Sequence, residues 1–292
     1  MRDLMTFSIV AYDPDERAWG VAVASKFLAA AAVVSWAQAE VGAVATQSYA
    51  KVGFGPDGLA LMAKGKSAQE TLTLLLQNDP MREQRQVGIV DANGGVAAHT
   101  GSKCHSWAGH LIGEGFSCQG NILTGEETLH AMAETFTTSK GELADRLVEA
   151  LLAGDTVGGD RRGKQSAGVL VVRPRGGYGG DTDRYLDLRV DDDPEPVQKL
   201  KELVATHHLF FGTAKPEDRL PISEDIAREL QTLMSRLGYY QGEVNGHWDD
   251  ASKQAFWAFV GNENLEERWN LDQEPDKLDK VVLEYLRKRF NG

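Results

Sequence analysis

Residues 6–26 read TFSIVAYDPDERAWGVAVASK, and this stretch decides the fold. Its first part, residues 6–12, is rich in β-branched and aromatic residues, and residues 19–24, WGVAVA, form a second short apolar run. Both runs are typical of strands. Residues 13–16, DPDE, are typical of a turn, because proline fixes φ and aspartate bonds to its own backbone. The stretch therefore predicts a β-hairpin.

The residue at the head of the hairpin, Thr6, is preceded by only five residues, the last of which is Met5. If translation starts at Met5, or if the first five residues are removed, Thr6 carries both a hydroxyl and a free α-amino group. That pair is a nucleophile with its own base, as N-terminal-nucleophile enzymes use it. An α-amine titrates near ~7.7–8.0, so it accepts a proton near neutral pH. Removal of Met1 alone would expose Arg2 and leave Thr6 without a free amine.

Outward from the hairpin, groups of strands alternate with pairs of helices. Apolar runs and turn signals predict strands at 33–36, 41–47, 84–90, 96–100, 107–115, 116–121, 166–173 and 185–190. Helical spacing predicts helices at 58–64, 67–77, 124–137, 140–153 and 196–209. Ser67 with Glu70, and Thr124 with Glu127, have the spacing of capping boxes. Segregated groups of this kind predict an α+β fold, and two helix pairs with two strand groups fit a four-layer αββα sandwich.

The C-terminal part differs in composition. Residues 212–221, GTAKPEDRLP, are polar with two prolines and predict a linker. We therefore expect a sandwich domain over residues 1–211 and a small all-α module over residues 222–292.

Composition excludes several classes of protein. The 292-residue chain has a net charge of −12 without a charged tail, which argues against nucleic acid as a partner. No stretch approaches the ~18 apolar residues of a membrane span. No secretory signal, disulfide scaffold or phosphate-binding loop is recognisable. We expect a soluble cytoplasmic protein without a cofactor, and a homo-oligomer stays open.

Several motifs together resemble the bacterial family called domain of unknown function 1028. They read TFSIVAYDPD, GVAVASKFLA, GAVATQSYA, RQVGIVD, VAAHTG, WAGHLIGEGFSCQGN and GGDRRGKQSAGVLVVR, and they extend from residue 6 to about 210. That family is regarded as related to the N-terminal-nucleophile hydrolases, so the resemblance implies an αββα sandwich and amide-bond hydrolysis. Residues 226–259 are similar to peptidoglycan-binding domains, in a Leu-Gln helix, a Gly-Tyr-Tyr sequence and a glycine turn. This similarity implies a cell-wall-derived glycan or peptide as a partner.

Four residues are candidates for catalysis. Thr6 is the candidate nucleophile, and Lys26 is a cation that would lower the pKa of its amine, as a lysine does in the relatives that the resemblance implies. Asn121 ends a strand and could help to hold an oxyanion. Asp160, beside a glycine-rich loop, could orient the amine. The alternatives are a strand threonine, a solvated lysine, a turn asparagine and an Asp160 paired with an arginine; Ser8 is a weaker candidate nucleophile.

Five residues are candidates for substrate binding. Arg162 could bind a substrate carboxylate with two parallel hydrogen bonds, and Ser166 follows the same glycine-rich loop. Ser25 lies where the relatives often carry aspartate. His99 and His110 are expected to line a pocket or to be hydrogen-bonded core residues.

The histidines and cysteines in one region raise the question of zinc. His99, Cys104, His105, His110 and Cys118 lie close in sequence, but their spacing matches no usual pair of chelating turns. Alternating strand faces would also separate Cys104 from His105. We therefore expect no metal site.

The first functional hypothesis is an N-terminal-nucleophile-type amidohydrolase that acts on a small-molecule or peptide amide. Thr6, Lys26, Asn121 and Asp160 are then expected to converge on one pocket. The second is a non-catalytic binding protein on the same fold, unprocessed at its N-terminus. A third is a cell-wall-associated protein in which the tail does the main work, which the missing secretory signal argues against.

Overall fold

The computed structural model describes residues 6–212 and 216–290, and the chain divides into two compact units, Met1–Val204 and Ala205–Gly292. The boundary falls seven residues before the position expected from the sequence, inside a helix that runs over Pro196–Phe211.

The first unit contains two antiparallel sheets. In chain order its strands are Thr6–Asp13 (β1), Ala18–Ser25 (β2), Ser35–Gln38 (β3), Gly42–Ser48 (β4), Arg85–Asp91 (β5), Val96–Thr100 (β6), Ala108–Gly113 (β7), Phe116–Asn121 (β8), Ser166–Val172 (β9) and Arg184–Val190 (β10). Six of them form a sheet in the order β10-β9-β2-β1-β8-β7, and four form a sheet in the order β3-β4-β5-β6.

The predicted hairpin is confirmed, since β1 and β2 pair from Thr6 with Ser25 to Asp13 with Ala18. The turn forms as its sequence predicts, because Asp13 Oδ1 accepts hydrogen bonds from the backbone N–H groups of Asp15 and Glu16, at 2.9 and 3.1 Å. Along β1 the side chains alternate between the two faces of the sheet.

The five predicted helices are present with shifted ends, and a further short helix over Ala31–Val34 occupies part of the strand expected at 33–36, which begins only at Ser35. They span Ala31–Val34 (α1), Phe54–Met62 (α2), Ala68–Gln77 (α3), Glu127–Thr138 (α4), Leu143–Thr156 (α5) and Pro196–Phe211 (α6). The capping box of Ser67 and Glu70 is present at the start of α3. The one predicted from Thr124 and Glu127 is wrong, because α4 begins at Glu127 itself and its first turn has no side-chain cap.

Three hydrophobic layers separate the sheets and helices. Phe7 and Ile9 on one face of β1 pack with Leu129 and Leu147 of α4 and α5. Between the two sheets, Val10 packs in a second layer with Trp19 and smaller apolar residues. A third layer joins the four-stranded sheet to α2 and α3. The predicted α+β class is confirmed, and the layers run helices, sheet, sheet, helices. Each fully buried large side chain contributes about 1.5–3 kcal/mol.

The second unit contains helices Glu224–Arg236 (α7), Asp250–Asn262 (α8) and Lys280–Phe290 (α9), around an aromatic core that includes Phe256 and Trp269. The expectation of an all-α module is wrong, because Arg219–Pro221 (β11) and Lys277–Asp279 (β12) pair as two short strands. β11 lies within the predicted linker 212–221. Three residues are too few to give a recognisable alternation in the sequence.

One glutamine organises a turn of this unit. Gln231 is fully buried, and its Nε2 donates to His247 O at 2.8 Å and to Ser252 Oγ at 2.9 Å. Its Oε1 accepts from the backbone N–H groups of Asn245 and Gly246, at 3.2 and 2.9 Å. This side chain therefore connects α7, the glycine turn and the start of α8.

Within residues 6–212 and 216–290, no helix has the length and apolar character that a transmembrane span requires.

Candidate functional site

Five residues form a row across one end of the six-stranded sheet. Thr6 is the register partner of Ser25 on one side and of Asn121 on the other. Ser25 is in turn paired with Ser166, and Asn121 with Ala108. Register partners place their side chains on the same face, and neighbouring strands are about 4.7–4.9 Å apart. The sheet thus brings together residues that are up to 160 positions apart in the chain.

Thr6 faces the interior between the two sheets. It lies on the same face of β1 as Val10, which belongs to the apolar layer between the sheets. It is 0% exposed, and its Oγ1 donates to Ser25 Oγ at 3.2 Å. Met5 and the four residues before it, whose removal the nucleophile hypothesis requires, lie outside the described residues.

Asp160 is engaged by the protein itself. Its Oδ2 accepts from the backbone N–H of Lys26 at 2.9 Å and from Arg162 Nη2 at 2.8 Å, and its Oδ1 accepts from Arg162 Nε at 3.2 Å. Arg162 Nη1 also donates to Lys26 O at 3.0 Å. The side chain of Asp160 is 2% exposed. This geometry corresponds to the alternative in which Asp160 pairs with an arginine and fastens the glycine-rich loop to the end of β2.

The Lys26 side chain is exposed, and its Nζ donates to Lys164 O at 3.0 Å. Ser166 is likewise used locally, since its Oγ donates to Phe27 O at 2.6 Å and accepts from Ala30 N at 3.0 Å. Lys26, Asp160, Arg162 and Ser166 therefore lie near the Thr6 end of the sheet, and the hydrogen bonds described above connect them to one another and to the neighbouring loops.

The two histidines lie on β6 and β7, the facing edge strands of the two sheets. His99 Nε2 is 2.9 Å from Arg82 O, and His110 Nδ1 is 2.9 Å from Thr100 Oγ1. Desolvation and the nearby His99 lower the pKa of His110 from its ordinary value, so its ring is neutral at neutral pH.

A pocket of about 510 Å³ adjoins the row at Ala108 and is lined by His110 but not by His99. Its volume falls within the range of small-ligand sites. The lining contains no acidic side chain and no lysine or arginine. It consists of Thr100, Gly101, Ser102, Cys104, Ser106, Trp107, Ala108, Gly109 and His110.

Next to the row lies a buried group of polar side chains, and the sequence analysis missed its three glutamines, Gln47, Gln86 and Gln119. Gln86 Oε1 accepts from Asn121 Nδ2 and from Gln47 Nε2, both at 2.9 Å. Ser8 Oγ donates to Gln47 Oε1 at 2.6 Å and accepts from Gln119 Nε2 at 2.7 Å. All these side chains are essentially unexposed. The available signal was the recurrence of glutamine in three of the predicted strands, which became β4, β5 and β8.

Ser8, the weaker candidate nucleophile, thus has its hydroxyl both donating and accepting inside the protein. As for metals, the part of the chain that the structure describes contains no cluster of three or more potential metal ligands. Burial raises the pKa of the thiols of Cys104 and Cys118, which favours the protonated form of both.

Comparisons with known proteins bear on both units. The model of a family of unknown function, DUF1028, matches residues 6–200, and a model described as "Putative peptidoglycan binding domain" matches residues 210–286. A solved structure from Silicibacter pomeroyi, protein SPO2555, which is assigned to DUF1028, is 28% identical with a TM-score of 0.65, over 71% of this chain and 88% of its own.

An Anbu (Gly-1) mutant from Hyphomicrobium sp. strain MC1 is 11% identical with a TM-score of 0.31, over 69% of this chain and 94% of its own. That score is too low to carry an argument. No curated protein matches the chain.

Proposed function

Because the chain belongs to DUF1028, a family of unknown function, over residues 6–200, we propose its activity from the geometry around Thr6. The proposed activity is hydrolysis of an amide bond, with Thr6 as an N-terminal nucleophile once the residues before it are removed. The order of layers, helices, sheet, sheet, helices, supports the relation to N-terminal-nucleophile hydrolases that the sequence motifs imply.

The observation that carries this proposal is the position of Thr6 as the first residue of β1, between Ser25 and Asn121. β1 is an interior strand of the six-stranded sheet, so it is a rigid support for a reacting group. Removal of residues 1–5 would create an α-amine next to the Thr6 hydroxyl.

The reaction would proceed in two halves. Thr6 Oγ1 attacks the substrate carbonyl carbon while the α-amine takes the hydroxyl proton, and the resulting ammonium gives that proton to the leaving amine as the C–N bond breaks. Water then attacks the ester on Thr6, again with the α-amine as base, and releases the acid. The oxyanion needs hydrogen-bond donors, and we propose the Ser25 hydroxyl as one of them.

The remaining candidates have supporting roles in this proposal. Asp160 and Arg162 hold the loop at the end of β2, and Lys26 is a cation at longer range. The pocket beside Ala108 receives part of the substrate. Because its lining carries no charged side chain at neutral pH, we propose an uncharged part of a small molecule or peptide as its occupant.

The experiment compares chains that start at Thr6, made by cleaving a fusion directly before this residue and checked by intact mass. Hydrolysis of a panel of fluorogenic aminoacyl and peptidyl amides is measured for the unchanged chain, Thr6→Ser and Thr6→Ala. We expect activity in the first two and a loss of at least about 10³-fold in Thr6→Ala. A chain that retains residues 1–5 is the matched control and should be inactive. Equal rates in the unchanged chain and Thr6→Ala would overturn the proposal.

A second candidate, a non-catalytic binding protein on the same fold, is favoured by one observation. Thr6 is 0% exposed and its hydroxyl already bonds to Ser25 in the chain that retains the preceding residues. Intact-mass measurement on protein from its native source distinguishes the two candidates. Retention of residues 1–5 supports binding, whereas a start at Thr6 supports catalysis.

For the second unit we propose binding of a cell-wall-derived glycan or peptide, on the basis of the family match over 210–286. Trp257 is 38% exposed on α8 and offers an aromatic surface for such a ligand. The test is co-sedimentation of the full chain with insoluble peptidoglycan. We expect Trp257→Ala to reduce the bound fraction, and the exposed Leu237→Ala serves as the control; no sedimentation of the unchanged chain would contradict the proposal.

A further inference from the structure

The orientation of the Gln86 side-chain amide is fixed by backbone carbonyl groups. Its Nε2 lies 2.7 Å from Gly120 O and 3.0 Å from Gly109 O. A carbonyl oxygen only accepts hydrogen bonds, so the nitrogen of Gln86 must face these two atoms. Its Oε1 must therefore face Asn121 and Gln47.

This orientation fixes the next amide in turn. Because Gln86 Oε1 only accepts, Asn121 must present Nδ2, which lies 2.9 Å away. A reversed Asn121 would bring two acceptor oxygens together and lose this hydrogen bond. Asn121 is 1% exposed, and its Nδ2 is the atom engaged by Gln86. The atom that is left to serve the site is thus an acceptor.

Thr6 is the neighbour that could donate a hydrogen bond to this acceptor. Thr6 and Asn121 are register partners with side chains on one face, and such partners have Cβ atoms about 4.5–5.5 Å apart. The Thr6 hydroxyl already donates to Ser25 Oγ. The donor that remains for Asn121 Oδ1 is therefore the α-amine that removal of residues 1–5 would create.

We infer that Asn121 Oδ1 accepts a hydrogen bond from the α-amine of Thr6, and that Gln86 is the positioning residue that holds Asn121 for this contact. The inference rests on the proposed function, and it replaces the oxyanion role that the sequence suggested for Asn121. An acceptor at this place turns the nitrogen lone pair of the amine toward the hydroxyl. It also stabilises the ammonium formed after proton transfer, which raises the pKa of the amine.

The test measures the pKa of the Thr6 α-amine by NMR in a ¹⁵N-threonine-labelled chain that starts at Thr6. We expect Asn121→Ala to lower this pKa by about 1 unit, because the ammonium loses its acceptor. An unchanged pKa together with a reduced kcat would overturn the inference, because that result is what an oxyanion donor predicts. Ser117→Ala is the matched control: Ser117 belongs to the same polar group and donates to Gln119 Oε1 at 2.8 Å, but it is paired with Val10 rather than Thr6.

A second measurement does not depend on how a variant folds. A crystal structure of the unchanged chain starting at Thr6 should place Thr6 N within about 2.7–3.2 Å of Asn121 Oδ1; Nδ2 in that position would overturn the inference. The titration also needs no turnover. If Asn121→Ala lowers the pKa of the amine but the unchanged chain hydrolyses no amide, only the proposed function is contradicted. If the unchanged chain is active but Asn121→Ala leaves the pKa of the amine the same, only this inference is contradicted.

Discussion

Gln119 occupies the space that a side chain at Gly88 would need. A Cβ atom built on Gly88 would lie 2.2 Å from Gln119 Oε1, well inside any real contact. Gly88 is on β5 of the four-stranded sheet, and Gln119 is on β8 of the other sheet. A glycine at this position therefore allows the buried amides to lie between the two sheets.

The first prediction follows from this contact. Gly88→Ala should lower the free energy of unfolding by about 1–3 kcal/mol, because either Gln119 or the sheet must move. Urea denaturation measures the change. Gly53→Ala is the control, since Gly53 has helical φ and ψ and its new methyl group would only touch Asp57 at 3.5 Å. Equal losses in the two variants would mean that the close approach of the sheets is not the cause.

Ser8 offers a test of which hydroxyl reacts. In a chain that starts at Thr6, Ser8→Ala should lower the free energy of unfolding by about 1–3 kcal/mol, because the amides of Gln47 and Gln119 each lose a partner. Its amide hydrolysis, assayed well below the unfolding temperature, should stay within a few-fold of the unchanged chain. Complete loss of hydrolysis in a folded Ser8→Ala protein would favour Ser8 over Thr6 as the nucleophile.

The buried carboxylate of Asp79 makes the free energy of unfolding depend on pH under acidic conditions. Hydrogen bonds from Arg85 lower the pKa of Asp79 below its ordinary 3.8, and both side chains are almost fully buried. A lowered folded-state pKa stabilises the protein at pH values above the unfolded pKa, and this stabilisation is lost as the pH falls through the folded value. We expect Asp79→Asn to cost about 3–5 kcal/mol at pH 7.

The same variant should depend less on pH than the unchanged chain below about pH 4. Urea denaturation at pH 7 and at successive values below pH 4 measures both effects. Parallel pH profiles for the two proteins would contradict the assignment. Glu83→Gln is the control, because Glu83 also has a lowered pKa but its side chain is 45% exposed.

In the second unit, Arg268 makes contacts that a lysine cannot reproduce. Its Nη1 donates to Asp279 Oδ2 at 2.6 Å, its Nε donates to Leu209 O at 2.8 Å, and its Nη2 donates to His208 O. The two charged side chains are 6% and 0% exposed. Arg268→Lys should therefore lower the free energy of unfolding by about 2–5 kcal/mol, since one ammonium cannot reach three separate acceptors.

The control for this prediction is Arg287→Lys. Arg287 pairs with Glu229 at 2.8 Å on the surface, and such exposed pairs contribute about 0–1 kcal/mol. Thermal unfolding of the two variants and of the unchanged chain, followed by circular dichroism, measures both effects. A small effect at Arg268 comparable to that at Arg287 would show that the guanidinium geometry is unimportant.

The two units should be separable by protease. We expect the first cut within residues 212–218, which are polar and precede the paired strand β11. Limited proteolysis followed by mass spectrometry identifies the site. First cleavage inside α6 would contradict the expectation and favour the earlier boundary at 204.

The local features of the fold could be predicted from the sequence, whereas contacts between distant residues could not. The DPDE turn and the Ser67 cap depend on neighbours within a few residues, and both formed as expected. Asn121 was a candidate because it ends a strand, but its pairing with Thr6 joins positions 115 residues apart. No local pattern contains such a register. The missed residue Gln86 reads as an ordinary polar position until the second sheet covers it.

Side-chain direction was the other limit. Lys26 follows Ser25 directly, so the hairpin correctly places its backbone near Thr6. Whether its ammonium group turns toward Thr6 or toward Lys164 O depends on the loop around Asp160, which is more than 130 residues away in the chain. The short β11–β12 pair was missed for a related reason, because each strand is stabilised only by pairing with the other.

Gln231 has a consequence for how relatives of the second unit are recognised. Gln231 and the Asn-Gly turn lie in the stretch that matches the peptidoglycan-binding model, and the Gln231 side chain bonds to residues 245–247 of that turn and to Ser252 at the start of α8. Selection for a stable turn would preserve Gln231 and the Asn-Gly turn even in related domains that bind different ligands. The match over residues 210–286 would then report the fold of the second unit, whereas a change of ligand would have to be sought at outward positions such as Trp257.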